Sequence, residues 1–349
     1  RGATVVPVQM ATYPTINLLV VIARPNEESD VNYRTISRPL VELVNSSEIP
    51  VKIDILRPGT YESLTRHLDE KGEGYYHVIH FDVHGGLMEY EQYQRQVHGV
   101  SWRYHWVWVL VVLADYVGVN AFLFLEGEEK GQATPVEATE LANLLTGKNI
   151  PICILNACQS AKQISQESED YRETSLGSRL MTAGMQAVVA MGYSVTVSAA
   201  KLMMKPIYQQ LLNGKDLTEA MRKGRLELFN NKQRRAYYNT IIDLEDWLLP
   251  VIYCCGKINL NLRPFTPEEE EKYWEHIGNQ YVFPLPEYGF VGRDLEILKM
   301  EKALLKHNIL LLKGMGGTGK TTLLNYLREW WQKTNWATHI FYFVLARSW

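Results

Sequence analysis

Over its first 255 residues the chain alternates short, continuously apolar runs with amphipathic segments, and that alternation leaves few folds open. Asn17–Arg24, Val51–Leu56, Tyr76–Val83, Ala121–Leu125, Ile150–Ala157 and Ala187–Gly192 read as buried strands, with Trp247–Cys254 as a last one. Thr35–Asn45, Tyr61–Lys71, Glu137–Leu145, Leu176–Ala183, Ala199–Leu212 and Thr218–Asn230 read as the helices between them. Strands bracketed by helices of this length imply an α/β fold, a parallel sheet with helices on both faces. Such sheets gather functional residues at the carboxyl ends of their strands. His84 is expected just past the third strand, which His84-Gly85-Gly86 closes, and Cys158 just past the fifth. Parallel strands bring the two to one rim.

Composition narrows the class. The chain has 349 residues, 46% hydrophobic and 21% charged, as a core-forming protein does. A net charge of −3 gives no direct nucleic-acid signal. Four cysteines are too few for a disulfide scaffold, which points to reduced thiols and a cytoplasmic protein. The strongest apolar run, Trp106 to Ala114, is shorter than the roughly 18 residues a spanning helix needs, so no membrane segment is expected.

Cysteine and histidine at one rim suit acyl transfer. A thiolate is the nucleophile, so the sulfur needs a base beside it, and His84 is the right type. The glycines after His84 leave room for a substrate backbone. The N–H groups of Gly85 and Cys158 are the candidate oxyanion donors. The plainer alternative is a small buried hydrophobe at Cys158 and a turn residue at His84. His80 and His84 lie on one face of their strand, without a third metal ligand, and His80 reads as a packed residue. Asp82 shares that face; it could orient the imidazole, line a pocket for a basic side chain, or sit at a solvated edge. Cys153 reads as core, and Cys254 and Cys255 as structural.

A second motif stands near the end. After a proline-rich stretch from Ile258 to Tyr288, read as a linker with Glu268–Glu271 solvated or starting a helix, the alternation resumes. Asp294–His307 reads as a helix, Ile309–Lys313 as a buried strand, Thr321–Gln332 as a helix and His339–Leu345 as a strand. Between strand and helix stands Gly314-Met315-Gly316-Gly317-Thr318-Gly319-Lys320-Thr321, a full match to the phosphate-binding loop. Its N–H groups and the helix N-terminus suit phosphates. Lys320 is expected on the β- and γ-phosphates and Thr321 on Mg²⁺. The acidic strand that holds Mg²⁺ in such domains lies further along than Trp349, so hydrolysis by these residues alone is not expected.

Two resemblances add to this. His77-Val78-Ile79-His80-Phe81-Asp82-Val83-His84-Gly85-Gly86, with Leu155-Asn156-Ala157-Cys158-Gln159-Ser160-Ala161, resembles the CHAT domain family, prokaryotic relatives of caspases and separases. Ala121–Glu126 and Ala183–Gly192 fit the same family. Asn156 and Ser160 depart from the caspase signature, and Asp82-Val83 from the small residues usual before the family's histidine. The resemblance covers roughly residues 14 to 256. It implies a caspase-like, mostly parallel sheet, a Cys158–His84 dyad and cleavage of a protein substrate. Phe290-Val291-Gly292-Arg293, together with Gly314 to Thr322, resembles the opening αβα part of the STAND ATPases, the group of NB-ARC and NACHT modules. It implies ATP or ADP with Mg²⁺ on this loop, Gly292 and Arg293 near the adenine, and no other metal. The organisation expected is a peptidase domain over 14–256, a linker over 257–289 and a nucleotide-binding part over 290–349. A sensor region beyond Trp349 would drive homo-oligomerisation, with bacterial defence or cell death as the setting. The rival is a nucleotide-binding scaffold whose caspase-like half only binds partners.

Overall fold

The computed structural model describes the chain apart from residues 1–11, 27–29, 31–32, 45–46, 48, 99–118, 128–130, 158–171, 192–195, 236–239, 259, 261, 288 and 344–349. Its centre is an eight-stranded sheet. β1 (Ile16–Ile22), β2 (Val51–Leu56), β3 (Val78–Glu89), β6 (Ile152–Ala157), β7 (Ala187–Met191) and β10 (Pro250–Cys254) lie in the order β10-β7-β6-β3-β1-β2. β1, β2, β3, β6 and β7 pair in parallel, and β10 closes one edge antiparallel to β7. The mixed α/β architecture with a mostly parallel sheet is the one the alternating pattern implies.

Alternation along β1 divides the core. Ile16, Leu18, Val20 and Ile22 face one side, Leu19 and Val21 the other, and all are buried. The second side is covered by α2 (Tyr61–Lys71), α4 (Ala138–Gly147) and α5 (Arg172–Thr182), through Leu64, Leu68, Leu141, Leu145 and Leu180. The first side is covered by α1 (Ser37–Val44), α6 (Val197–Leu212) and α7 (Leu217–Asn230). Caps fix where the helices start: Thr60 accepts from Ser63 N, Thr196 from Ala199 N, and Asp216 from Thr218 N and Glu219 N.

The departures have physical causes. The third strand does not close at Val83. It runs through His84, Gly85 and Gly86 to Glu89, because a new partner satisfies its backbone. That partner, β4 (Val119–Glu126), pairs antiparallel over His84↔Phe124 to Glu89↔Val119. It is therefore an arm off the sheet rather than a fourth parallel strand. β5 (Ala133–Glu137) pairs antiparallel with β4; it takes residues 133–136, which the sequence left between elements, and Glu137, which was expected to open the next helix. α3 (Tyr90–His98) follows β3 directly. The stretch expected as a linker contains α8 (Pro267–Gly278), opened by Thr266 and Glu269 in a reciprocal capping box, so the acidic run starts a helix. A further pair of short strands, β8 (Gln233–Arg235) and β9 (Ile241–Asp243), stands apart from the main sheet.

α9 (Asp294–Leu304) and α10 (Lys320–Lys333) join the first side of the core. Ile297, Leu298, Met300, Leu323, Leu327 and Trp330 belong to the same buried cluster as the β1 side chains. Ile309–Lys313 is not a buried strand. Ile309 is 85% and Leu311 72% exposed, and no strand among the described residues pairs with them. An aliphatic run becomes a strand only where a ladder partner is at hand. His339–Phe343 likewise forms no strand, and the two residues after it lie outside the described residues.

Candidate active site

β3 stands between β1 and β6, and register decides what meets at its end. Ile22 pairs with Asp82, and Ala157 pairs with Val83. The chain leaving β1 and the chain leaving β6 thus both depart beside His84. Cys158 itself lies outside the described residues, but Ala157, bonded to it, is the partner of Val83, bonded to His84. The described part of β6 therefore ends beside the residue that precedes His84.

Side-chain alternation aims the polar groups of β3. Ile79, Phe81 and Val83 enter the α2–α4–α5 side, so His80, Asp82 and His84 face the other. All three are buried. His84 Nε2 lies 2.6 Å from Asp30 Oδ1, and Asp30 Oδ2 accepts from Asn26 N at 2.9 Å. Burial alone would raise the Asp30 carboxyl pKa. The hydrogen bond and charge of His84, with Asn26 N–H and Arg24, more than offset it and hold the carboxyl below its ordinary value.

Asp82 is buried and is no solvated edge residue. Arg24 donates to its Oδ2 at 2.6 Å and to its carbonyl at 2.7 Å, and Asn156 Nδ2 donates to its Oδ1 at 3.0 Å. Both side chains of the Arg24–Asp82 pair are 3% exposed. One carboxylate thereby ties the ends of β1 and β6 to β3. Arg24 N also donates to Glu126 Oε1 at 3.0 Å, which brings the end of β4 to the same corner. His80 is fully buried with its ring stacked on Tyr208 and Nδ1 2.5 Å from the hydroxyl, a packed residue. Cys153 is core, and burial pushes its thiol well up. Cys254 and Cys255 are exposed free thiols rather than structural ones.

A family model described as the CHAT domain matches residues 27–277, more than two thirds of the chain. The chain belongs to the CHAT domain family. No curated protein matches it. The family's caspase-like, cysteine-peptidase-type fold accounts for the mostly parallel sheet and for the rim that joins β3 and β6. The CHAT match takes in α8, and ends before the glycine-rich loop.

That loop leads into the N-terminus of α10, whose N-cap Gly319 carries no side chain to cap it. Gly317 and Gly319 hold φ of 76° and 79°, a left-handed conformation that glycine adopts without strain. Lys320 Nζ rests on the carbonyls of Gly314 and Met315 at 2.8 and 2.6 Å. Arg293 donates to Thr318 O at 2.8 Å, so the structure brings the 290–293 segment onto the loop. Gly292 lies at φ 75°, and its carbonyl accepts from Arg34 at 3.0 Å. Met315, Gly316 and Thr321 are exposed, and Thr322 is half-buried.

Sequence reasoning missed Asp30 and Arg24 at the CHAT rim. Neither sits in a motif. The usable signal was topological: the segment after β1 must border whichever strand lies beside β1.

Proposed function

We propose that the protein is a cysteine endopeptidase in which Cys158 and His84 cleave a protein substrate, under the control of a nucleotide held at residues 314–322. The observation that supports the reading is the Val83↔Ala157 register: Val83 immediately precedes His84 on β3, and Ala157, the last residue of β6, immediately precedes Cys158 in the sequence. In the reaction His84 takes the proton of the Cys158 thiol, and the thiolate attacks the scissile carbonyl carbon. The carbonyl electron pair moves to oxygen, where the N–H groups of Gly85 and Cys158 are the candidate donors. Collapse breaks the C–N bond, and the imidazolium gives its proton to the leaving amine. Water then attacks the thioester with His84 again as base, releasing the acid and restoring the thiol.

ATP or ADP with Mg²⁺ fits the loop chemically. An uncapped helix N-terminus and a run of glycines supply N–H donors, and Lys320 supplies charge. On that reading Lys320 leaves the Gly314 and Met315 carbonyls for the β- and γ-phosphates, Thr321 meets the Mg²⁺, and Thr322, Gly292 and Arg293 line the remainder. Bound nucleotide would supply a change of charge at the head of α10. Because α10 shares a buried cluster with β1, such a change can reach the peptidase core. Assembly of several copies, a sensor region outside these residues, and a role in bacterial defence or cell death fit this arrangement.

The test is cleavage of a protein-substrate library by the full chain with and without ATP. Cys158→Ala should abolish all cleavage, and Lys320→Ala should remove its dependence on ATP. Undiminished cleavage by Cys158→Ala would refute the assignment.

A further inference from the structure

We infer that Asp30 is the positioning residue for the His84 imidazole; this rests on the peptidase reading above. Nothing in the family match assigns Asp30 a role, and it lies in a polar segment without a motif. Its side chain is only 2% exposed, although the segment between β1 and α1 is rich in charge. A carboxylate so enclosed needs partners, and among the described residues these are Asn26 N–H on one oxygen and His84 Nε2 on the other. An Asp30 Oδ1 to Nε2 distance of 2.6 Å is that of a charge-assisted bond.

The contact fixes the chemistry of the ring. A carboxylate accepts only, so Nε2 carries a proton, and in the neutral ring Nδ1 is then the basic nitrogen. When the thiol proton of Cys158 passes to Nδ1, the ring becomes an imidazolium and the sulfur a thiolate. The positive charge formed lies against Asp30, which lowers the cost of making the pair. The other charged groups at this corner are already engaged. Asp82, two residues back on β3, is held by Arg24 and Asn156, and Glu126 at the end of β4 by Arg24 N and Lys302. Among the described residues Asp30 is thus the carboxylate whose charge is directed at the ring.

The experiment is the rate of Cys158 alkylation by iodoacetamide in the full chain, followed by peptide mapping from about pH 5 to 9. Wild type, Asp30→Asn and His84→Ala are compared. Asp30→Asn should slow alkylation at neutral pH by about tenfold and move the apparent thiol pKa upward, toward that of His84→Ala. A purely structural Asp30 would scale the rate without moving the pKa, and a profile equal to wild type would overturn the proposal while leaving the dyad intact. Wild-type and His84→Ala profiles that coincide would instead refute the dyad itself. Should Asp30→Asn fail to fold, the nitrogen resonances of His84 in the wild type decide. The neutral ring is expected to carry its proton on Nε2, and a proton on Nδ1 would overturn the proposal.

Discussion

His80 occupies the middle of β3 with no exposure at all, between the sheet and Tyr208 of α6. Burial lowers its pKa to about 4, and the same cause lowers that of His77 to about 4. The unfolded chain takes up these protons near pH 6.5, while the folded chain resists them until about pH 4. Between those values the unfolded state holds more protons, so stability rises with pH there and falls as the solution is acidified. Thermal melts should show the midpoint dropping from pH 6.5 toward pH 4, with His80→Asn flattening part of that slope. The opposite sign applies to no window here, because both shifts are downward. His80 was legible as a packed residue from its place on an apolar strand. Asp82 was not, because its partner Arg24 lies 58 residues away and no local spacing announces the pair.

At the scale of elements, the most consequential contact is a single carboxylate on α9. Glu301 accepts from Arg57 Nε at 2.9 Å, Tyr33 hydroxyl at 2.6 Å, and the indole N–H groups of Trp330 and Trp331 at 3.0 Å each. The Arg57 and Glu301 side chains are 4% and 2% exposed. This ties α9 and α10 to the end of β2 and the start of α1. Arg34 adds a second tie, its guanidinium packed against Tyr326 and Phe290 and paired with Asp294 at 2.9 Å. Glu301→Ala leaves Arg57 buried without its counter-charge and should cost about 3–5 kcal/mol in chemical denaturation. The paired substitution Arg57→Leu with Glu301→Leu should cost less than Glu301→Ala alone, since no charge is then stranded. A double variant as unstable as the sum of its parts would contradict this. Element reading from sequence succeeded where one element decides its own fate: α2 spans Tyr61–Lys71 as its pattern implies, and Thr60 caps it. It failed where a partner decides. β5 has neither alternation nor β-branched continuity and exists because β4 offers an edge, whereas Ile309–Lys313 has the aliphatic run and no ladder partner among the described residues.

Across the whole molecule, the sheet's carboxyl rim is the place where separate stretches converge. β1 and the segment after it deliver Arg24 and Asp30, β3 delivers Asp82 and His84, β6 delivers Asn156, and β4 delivers Glu126. That β3 and β6 run parallel was legible from the alternating pattern. The polar frame around it was not, since hydrogen-bond partners between loops follow from three-dimensional register and not from spacing. α9 reaches the same corner: Lys302 Nζ lies 3.0 Å from Glu126, itself bonded to Arg24. The glycine-rich loop at the head of α10 thus belongs to the body that carries the rim. The most direct test of the central claim is covalent labelling of the full chain by a thiol-reactive peptide probe, read by mass spectrometry. Labelling is expected at Cys158 and should fall at least about tenfold in His84→Ala. Labelling at Cys254 or Cys255 alone, or labelling of Cys158 indifferent to His84, would contradict it.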